Sequence, residues 1–194
     1  MNILILSPYP ENIINTFKKE GDYFLLHNEE INLKFLKENS IDFIVSYGYS
    51  QIIKKEIIEY LNKSIINLHI SFLPFNRGSH PNLWSFIEGT PSGITIHKIN
   101  EGIDTGEILF RKKIYIDPEK HTFRSSYSIL RREIEIMFNK YWKDIKYGKY
   151  EIIKPLEEGT FHLKKEGEHF FSKLKFGWDT NIQEALKEFK LSTK

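Results

Sequence analysis

Two short stretches of this sequence carry side chains whose types and spacing can do chemistry. In Ile66-Asn67-Leu68-His69-Ile70-Ser71 an amide and an imidazole sit two residues apart inside an apolar run. Side chains alternate across an extended strand, so Asn67 and His69 emerge on one face and Leu68 and Ile70 on the other. Burying either polar group without a partner costs about 1–3 kcal/mol, so neighbouring backbone or a bound molecule must satisfy them. Thirty-five residues after His69, the run Gly102-Ile103-Asp104-Thr105-Gly106 holds a carboxylate between two glycines. Alone, such an aspartate is ordinary turn chemistry. Amide, imidazole and carboxylate together can donate hydrogen bonds to a developing negative charge and carry a proton away. His97, seven residues before Asp104, reads as a supporting or structural group.

These residues need a frame that delivers them to one place. Through the first half, short apolar runs alternate with longer amphipathic ones, the pattern of β-α-β units with a parallel sheet. Strands are expected at Asn2–Ser7, Asp22–His27, Asp42–Tyr47 and Ser64–Ile70, with helices at Glu11–Glu20, Glu29–Asn39 and Ile52–Asn62. The fold class is therefore α/β, a Rossmann-like, mostly parallel sheet with helices on both faces. Asn67 and His69 then fall at the carboxyl end of a central strand, where open α/β sheets take their ligands. From Pro74 to Gly106 the chain is dense in proline and glycine, which marks loops that shape a site. Within and beyond that stretch a helix is expected at His80–Glu88 and strands at Gly93–Ile99 and Glu107–Ile116. Thr122 is placed to cap a long helix, Phe123–Tyr147, whose Tyr127, Leu130, Ile134, Phe138 and Trp142 form a packing stripe. Short strand-like and loop-like pieces follow, ending in a polar helix at Asn181–Leu191. The domain reading is a catalytic domain over 1–150 and a short C-terminal α+β extension over 151–194.

Composition narrows the chemistry further. The 194 residues suffice for one domain with an appendage. With 28 basic and 26 acidic side chains the formal charge is +2, not the surplus of a nucleic-acid binder. The sequence has no cysteine, which excludes disulfides, thiolate metal sites and cysteine nucleophiles and is compatible with a reducing, cytoplasmic setting. Met1-Asn2-Ile3-Leu4-Ile5-Leu6 lacks a basic leader and reads as a buried first strand, and no apolar run approaches the roughly 18–20 residues that span a bilayer. No metal and no membrane partner are expected.

The run Asn67-Leu68-His69-Ile70-Ser71-Phe72-Leu73-Pro74, followed by Asn76-Arg77-Gly78, Pro81-Asn82-Leu83-Trp84, Gly93-Ile94-Thr95-Ile96-His97 and Asp104-Thr105-Gly106, resembles the folate-dependent formyltransferases. The match is dense from about Asp42 to Phe110. It implies 10-formyltetrahydrofolate as formyl donor, with Asn67, His69 and Asp104 as the catalytic set. It also implies a pterin pocket lined by Tyr47, Gln51, Ile52 and Ile53, with Asn100 and Gly102 opposite. Among the branches, Ser7-Pro8-Tyr9-Pro10 stands where glycinamide ribonucleotide transformylases have a glycine-rich phosphate loop, and nothing basic matches the C-terminal domain of the initiator-tRNA enzymes. The run Phe75 to Ser85 looks most like the sugar N-formyltransferases, which modify an amine on a nucleotide-linked deoxysugar for surface glycans. On that resemblance Ser7, Arg77 and Trp84 are the substrate-binding candidates, with core packing the competing role for Trp84, and a homodimer is open. Asn67 arrives earlier than is usual in the family, so the N-terminal layer is expected to be shortened and its nucleotide site reduced or rebuilt. Another small amine as acceptor, hydrolysis of the formyl donor, and a non-catalytic folate or nucleotide module are the alternatives.

Overall fold

The computed structural model describes residues 1–62 and 64–192; Thr193 and Lys194, the end of the expected extension, lie outside the described residues. In chain order the first half holds β1 (Asn2–Leu6), α1 (Glu11–Lys19), β2 (Tyr23–His27), α2 (Leu33–Glu38), β3 (Phe43–Ser46), α3 (Lys55–Tyr60) and β4 (Ile65–His69). There follow β5 (Arg77–Gly78), α4 (Pro81–Ile87), β6 (Gly93–Lys98), β7 (Ile108–Lys113) and α5 (Phe123–Lys146). The chain closes with β8 (Phe161–His162), α6 (Lys164–Lys173) and α7 (Ile182–Ser192).

One sheet has the order β2-β1-β3-β4-β6-β7, and β5 pairs with β8 in a separate two-stranded piece. The pairs β1 with β2, β1 with β3, and β3 with β4 are parallel. The sheet is mixed at its far edge: Lys98 N donates to Glu107 O and Ile114 N to Ser92 O, the descending register of an antiparallel pair. The expectation of a mostly parallel α/β sheet holds.

The chain divides into two compact units, Met1–His69 with Ile96–Phe110 and Ile134–Lys154, and Ile70–Thr95 with Arg111–Glu133 and from Pro155 onward. In the first unit, alternation along the strands builds two faces. Leu4, Ile44 and Ile65 share a row and cluster with Leu36 of α2 and Ile57 of α3. The neighbouring row, Ile3, Phe24 and Phe43, faces the other way. There Phe17 of α1 lies 6.0 Å from Phe24, and Trp142 of α5 meets Phe43 edge-on at 5.4 Å. Helices therefore cover both sides, as the near-continuous apolar runs of β1 and β3 require. Ile134, Phe138 and Trp142 are fully buried, so that part of the α5 stripe is a packing face.

The second unit has its own core, Leu83, Phe123, Phe171, Ile182 and Ala185, with Trp84, Phe86 and Trp178 against it. Several expectations on elements change; the third helix runs Lys55–Tyr60 rather than Ile52–Asn62, and the last strand of the large sheet Ile108–Lys113 rather than Glu107–Ile116. The second helix starts at Leu33 rather than Glu29, because the Asn32 side chain accepts from Phe35 N and caps it there. Helix α6 occupies a stretch read as strand and loop. Gly167 breaks its helical pattern, and glycine is needed there because a Cβ would come within 2.4 Å of the His80 ring.

Candidate active site

The catalytic candidates lie together in the first unit, and each arrives by a separate local device. β4 carries Asn67 and His69 at its carboxyl end, with Asn67 in register beside Ser46 of β3. β6 brings His97, 2% exposed. The turn after β6 brings Asp104, held at φ +51°, a left-handed conformation that aspartate tolerates better than most residues. Asn100 ties that turn by accepting from Gly102 N at 3.1 Å and Thr105 Oγ1 at 2.8 Å. The bracketing glycines are required by contact: a Cβ on Gly102 would lie 2.2 Å from Thr105 Oγ1, and one on Gly106 1.8 Å from Lys98 O.

Asn67 Nδ2 sits 3.3 Å from Asp104 Oδ1 and 3.3 Å from His97 Nε2. His97 Nδ1 lies 2.8 Å from Lys98 O. A carbonyl only accepts, so Nδ1 carries a proton. His97 Nε2 is also 3.4 Å from Asp104 Oδ1, so the Asn67 amide, the His97 ring nitrogen and the Asp104 carboxylate form a close triangle. On the other side His69 Nε2 is 3.7 Å from Asp104 Oδ2, longer than a hydrogen bond. The His69 and Asp104 side chains are 9% and 11% exposed, so these groups act on one another through a poorly screened medium. Both Asn67 contacts are long, and a developing charge could compete for its N–H groups. His97 is thus a direct neighbour of two members of the set, a closeness that its spacing from Asp104 alone did not reveal.

The remaining candidates of this unit divide by exposure. Ser7 is 7% exposed, its hydroxyl accepting from Tyr9 N. Tyr47 is 2% exposed and donates its hydroxyl to Glu135 Oε1 at 2.8 Å, while Glu135 Oε2 accepts from Asn12 at 2.8 Å. Tyr47 is therefore a core residue that ties the end of β3, through Glu135 of α5, to Asn12 of α1. Glu135, a buried acid inside a helical stripe, gave no sequence signal beyond its presence. Ile53 is buried, whereas Gln51, Asn100 and Gly102 are exposed, Ile52 is 80% exposed and Ile103 51%. The loops carrying Ile52 and Ile103 are joined by the Lys55–Glu101 ion pair at 2.9 Å. In the second unit Arg77 is half-buried, its Nε donating to Thr160 O at 3.3 Å. Trp84 stacks on the His162 ring at 4.1 Å and packs on the apolar cluster, so packing accounts for it. Among the described residues no group of three His, Asp or Glu side chains is arranged to hold a metal ion, and no helix is long and apolar enough to cross a membrane.

A family model described as formyl transferase matches residues 15–140, the stretch that contains all four clustered side chains. The chain belongs to the formyl transferase family. Among solved structures, the chain is similar to the formyltransferase PseJ from Anoxybacillus kamchatkensis at 38% identity and a TM-score of 0.88, over 95% of this chain and 97% of that one. That structure was determined in complex with UDP-4,6-dideoxy-4-formamido-L-AltNAc and tetrahydrofolate. A sugar N-formyltransferase from a Shewanella species shares the fold at 23% identity and a TM-score of 0.78, covering 96% of this chain and 85% of that one. A methionyl-tRNA formyltransferase from Thermodesulfovibrio yellowstonii is 38% identical over 107 residues, which is 54% of this chain and 35% of that protein. The chain spans about a third of the length of the curated relatives it matches.

Proposed function

We propose that this chain transfers a formyl group from 10-formyltetrahydrofolate to the amine of a nucleotide-linked amino sugar. The observation that carries the reading is the buried set of Asn67, His69 and Asp104, with His97 behind it, at the carboxyl end of β4 and β6. The donor supplies an acyl carbon at the formyl oxidation level. Asn67 and His69 donate hydrogen bonds to its oxygen as negative charge grows there, a contribution worth about 100- to 1,000-fold per donor in comparable sites. Asp104 takes up the proton that the attacking amine must shed, work worth about 100- to 10,000-fold for a positioned base. As the tetrahedral intermediate collapses, the bond from the formyl carbon to folate N10 breaks and N10 takes a proton, leaving tetrahydrofolate. His97 holds the Asn67 amide toward Asp104.

The exposed Ile52 and Ile103 on linked loops fit a pterin ring, with Gln51, Ile53, Asn100 and Gly102 supplying backbone around it. Acceptor contacts are assigned to Ser7 and to Arg77, whose guanidinium suits a phosphate or carboxylate. The sugar acceptor is supported by the likeness to PseJ over nearly the whole of both chains. That protein is about the same size, which supports a short N-terminal layer being compatible with a nucleotide-linked sugar. The near balance of 28 basic and 26 acidic residues favours a small acceptor over a transfer RNA.

The test is to incubate purified protein with 10-formyltetrahydrofolate and a panel of UDP- and dTDP-linked amino sugars, following tetrahydrofolate release, with His69→Ala alongside. The expected outcome is acceptor-dependent release that disappears in His69→Ala. Release that ignores the acceptor identifies a hydrolase instead, and donor binding without release identifies a binding module.

A further inference from the structure

In the second unit the segment from Asn76 to His80 has an uncommon backbone. Asn76, Gly78 and His80 stand at φ +56°, +87° and +55°, three left-handed residues in alternation. Asparagine and histidine keep such a conformation when their surroundings over-determine it. At Gly78 no other residue fits, because a Cβ would meet His162 O at 2.3 Å.

One carboxylate meets both the start of this segment and the strand beside it. Glu88 Oε2 accepts from Asn76 Nδ2 at 3.0 Å and from Thr160 Oγ1 at 3.0 Å. Glu88 Oε1 lies 2.9 Å from His162 Nε2, a close approach out of line for a hydrogen bond. Asn76 is 1% exposed; its N–H donates to Thr160 Oγ1 and its Oδ1 accepts from Thr90. The same two residues that meet Glu88 also flank Arg77. Arg77 N donates to Thr160 O, Ser79 N donates to His162 O, and Arg77 Nε reaches Thr160 O at 3.3 Å. Glu88 therefore grips Asn76 on one side of Arg77, and Thr160 and His162 on the strand beside it.

We propose that Glu88 is a positioning residue that sets the pose of Arg77, and through it the binding of the acceptor's anionic group. This rests on the reading of Arg77 as an acceptor contact. A carboxylate suits the task because one charged oxygen, Oε2, accepts from Asn76 and Thr160 at once. Glu88→Gln keeps the size but removes the charge, so both bonds lose their charge assistance.

The experiment is steady-state kinetics on Glu88→Gln, Arg77→Ala and the double variant, with acceptor and formyl donor varied in turn. Glu88→Gln is expected to raise the acceptor KM about tenfold, the scale of two hydrogen bonds losing their charge assistance, and to leave kcat and the donor KM within about twofold. Arg77→Ala raises the acceptor KM at least as much, and the double variant is no worse than Arg77→Ala, because Glu88 acts through Arg77. Multiplying effects in the double variant, or a joint loss of kcat and both KM values in Glu88→Gln, overturns the proposal. An unchanged acceptor KM in Arg77→Ala overturns the reading of Arg77 and this proposal with it. Sensitivity at Arg77 with none at Glu88 overturns the positioning role alone. Should Glu88→Gln fold too poorly for kinetics, Thr160→Val removes only the hydroxyl that links Asn76 N–H to Glu88 and must show the same split.

Discussion

Gly106→Ala tests whether the turn after β6 is what places Asp104. A Cβ on Gly106 would lie 1.8 Å from Lys98 O and 2.7 Å from Lys98 C, where real Cβ contacts stop near 3.0 Å. Both obstacles are backbone, and Lys98 N is itself bonded to Glu107 O at 2.9 Å, so no side-chain rotation relieves the clash. The turn must open by about 1 Å, and a displacement of that size at a catalytic group costs about 100-fold in rate. Asp104 is two residues away, and its 3.3 Å contact with Asn67 has no slack to absorb the shift. The expected result is kcat lower by about 100-fold, or about 2.7 kcal/mol of lost transition-state stabilisation, with the protein still folded. Tetrahydrofolate release followed by absorbance gives kcat, and thermal unfolding checks the fold. Gly21→Ala is the control: Gly21 has φ +69° but nothing within 4 Å, so it pays backbone strain of about 1–2 kcal/mol and leaves kcat alone. If Gly106→Ala keeps kcat within about threefold while Asp104→Asn abolishes it, Asp104 is not positioned by the approach of this turn to Lys98.

Two further predictions concern stability. Trp142 Nε1 donates to Asp22 Oδ2 at 3.0 Å in the buried core, so Trp142→Phe leaves a buried acceptor short of a donor; a loss of about 1–3 kcal/mol, read by urea unfolding, is expected. Burial holds the His80 imidazole below its usual range. An unfolded His80 protonates near pH 6.5 while the folded one resists, so its contribution is complete above about pH 6.5 and is lost as pH falls toward the folded value. His80→Asn, which tolerates the left-handed backbone, is expected to flatten that acid slope of stability; an unchanged slope assigns it to other groups.

The sequence carried much of the fold because its signals are local. The apolar runs of β1, β3 and β4 and the amphipathic stretches between them depend on residues that pack through their own periodicity, so element order and fold class were legible. The long stripe from Ile134 to Trp142 was likewise readable, and it is buried. Boundaries suffered where a single cap decides them, as Asn32 does for α2. Helix α6 was illegible because Gly167 weakens its pattern for the sake of the His80 ring, a contact far off in sequence.

For the site, the chain by itself determined which groups can do the chemistry: strand alternation sets Asn67 and His69 on one face, and paired glycines make a tight turn for Asp104. Only tertiary structure decided who touches whom. That His97 shares the Asn67 amide with Asp104, that Tyr47 is spent on Glu135, and that Glu88 grips both sides of Arg77 follow from contacts between residues 30 to 88 apart in sequence, or 12 and 72 for Glu88. The physical reason is range: hydrogen-bonding type and backbone periodicity are properties of neighbours along the chain, whereas the partner of a buried polar group is chosen by packing, to which no local pattern is sensitive.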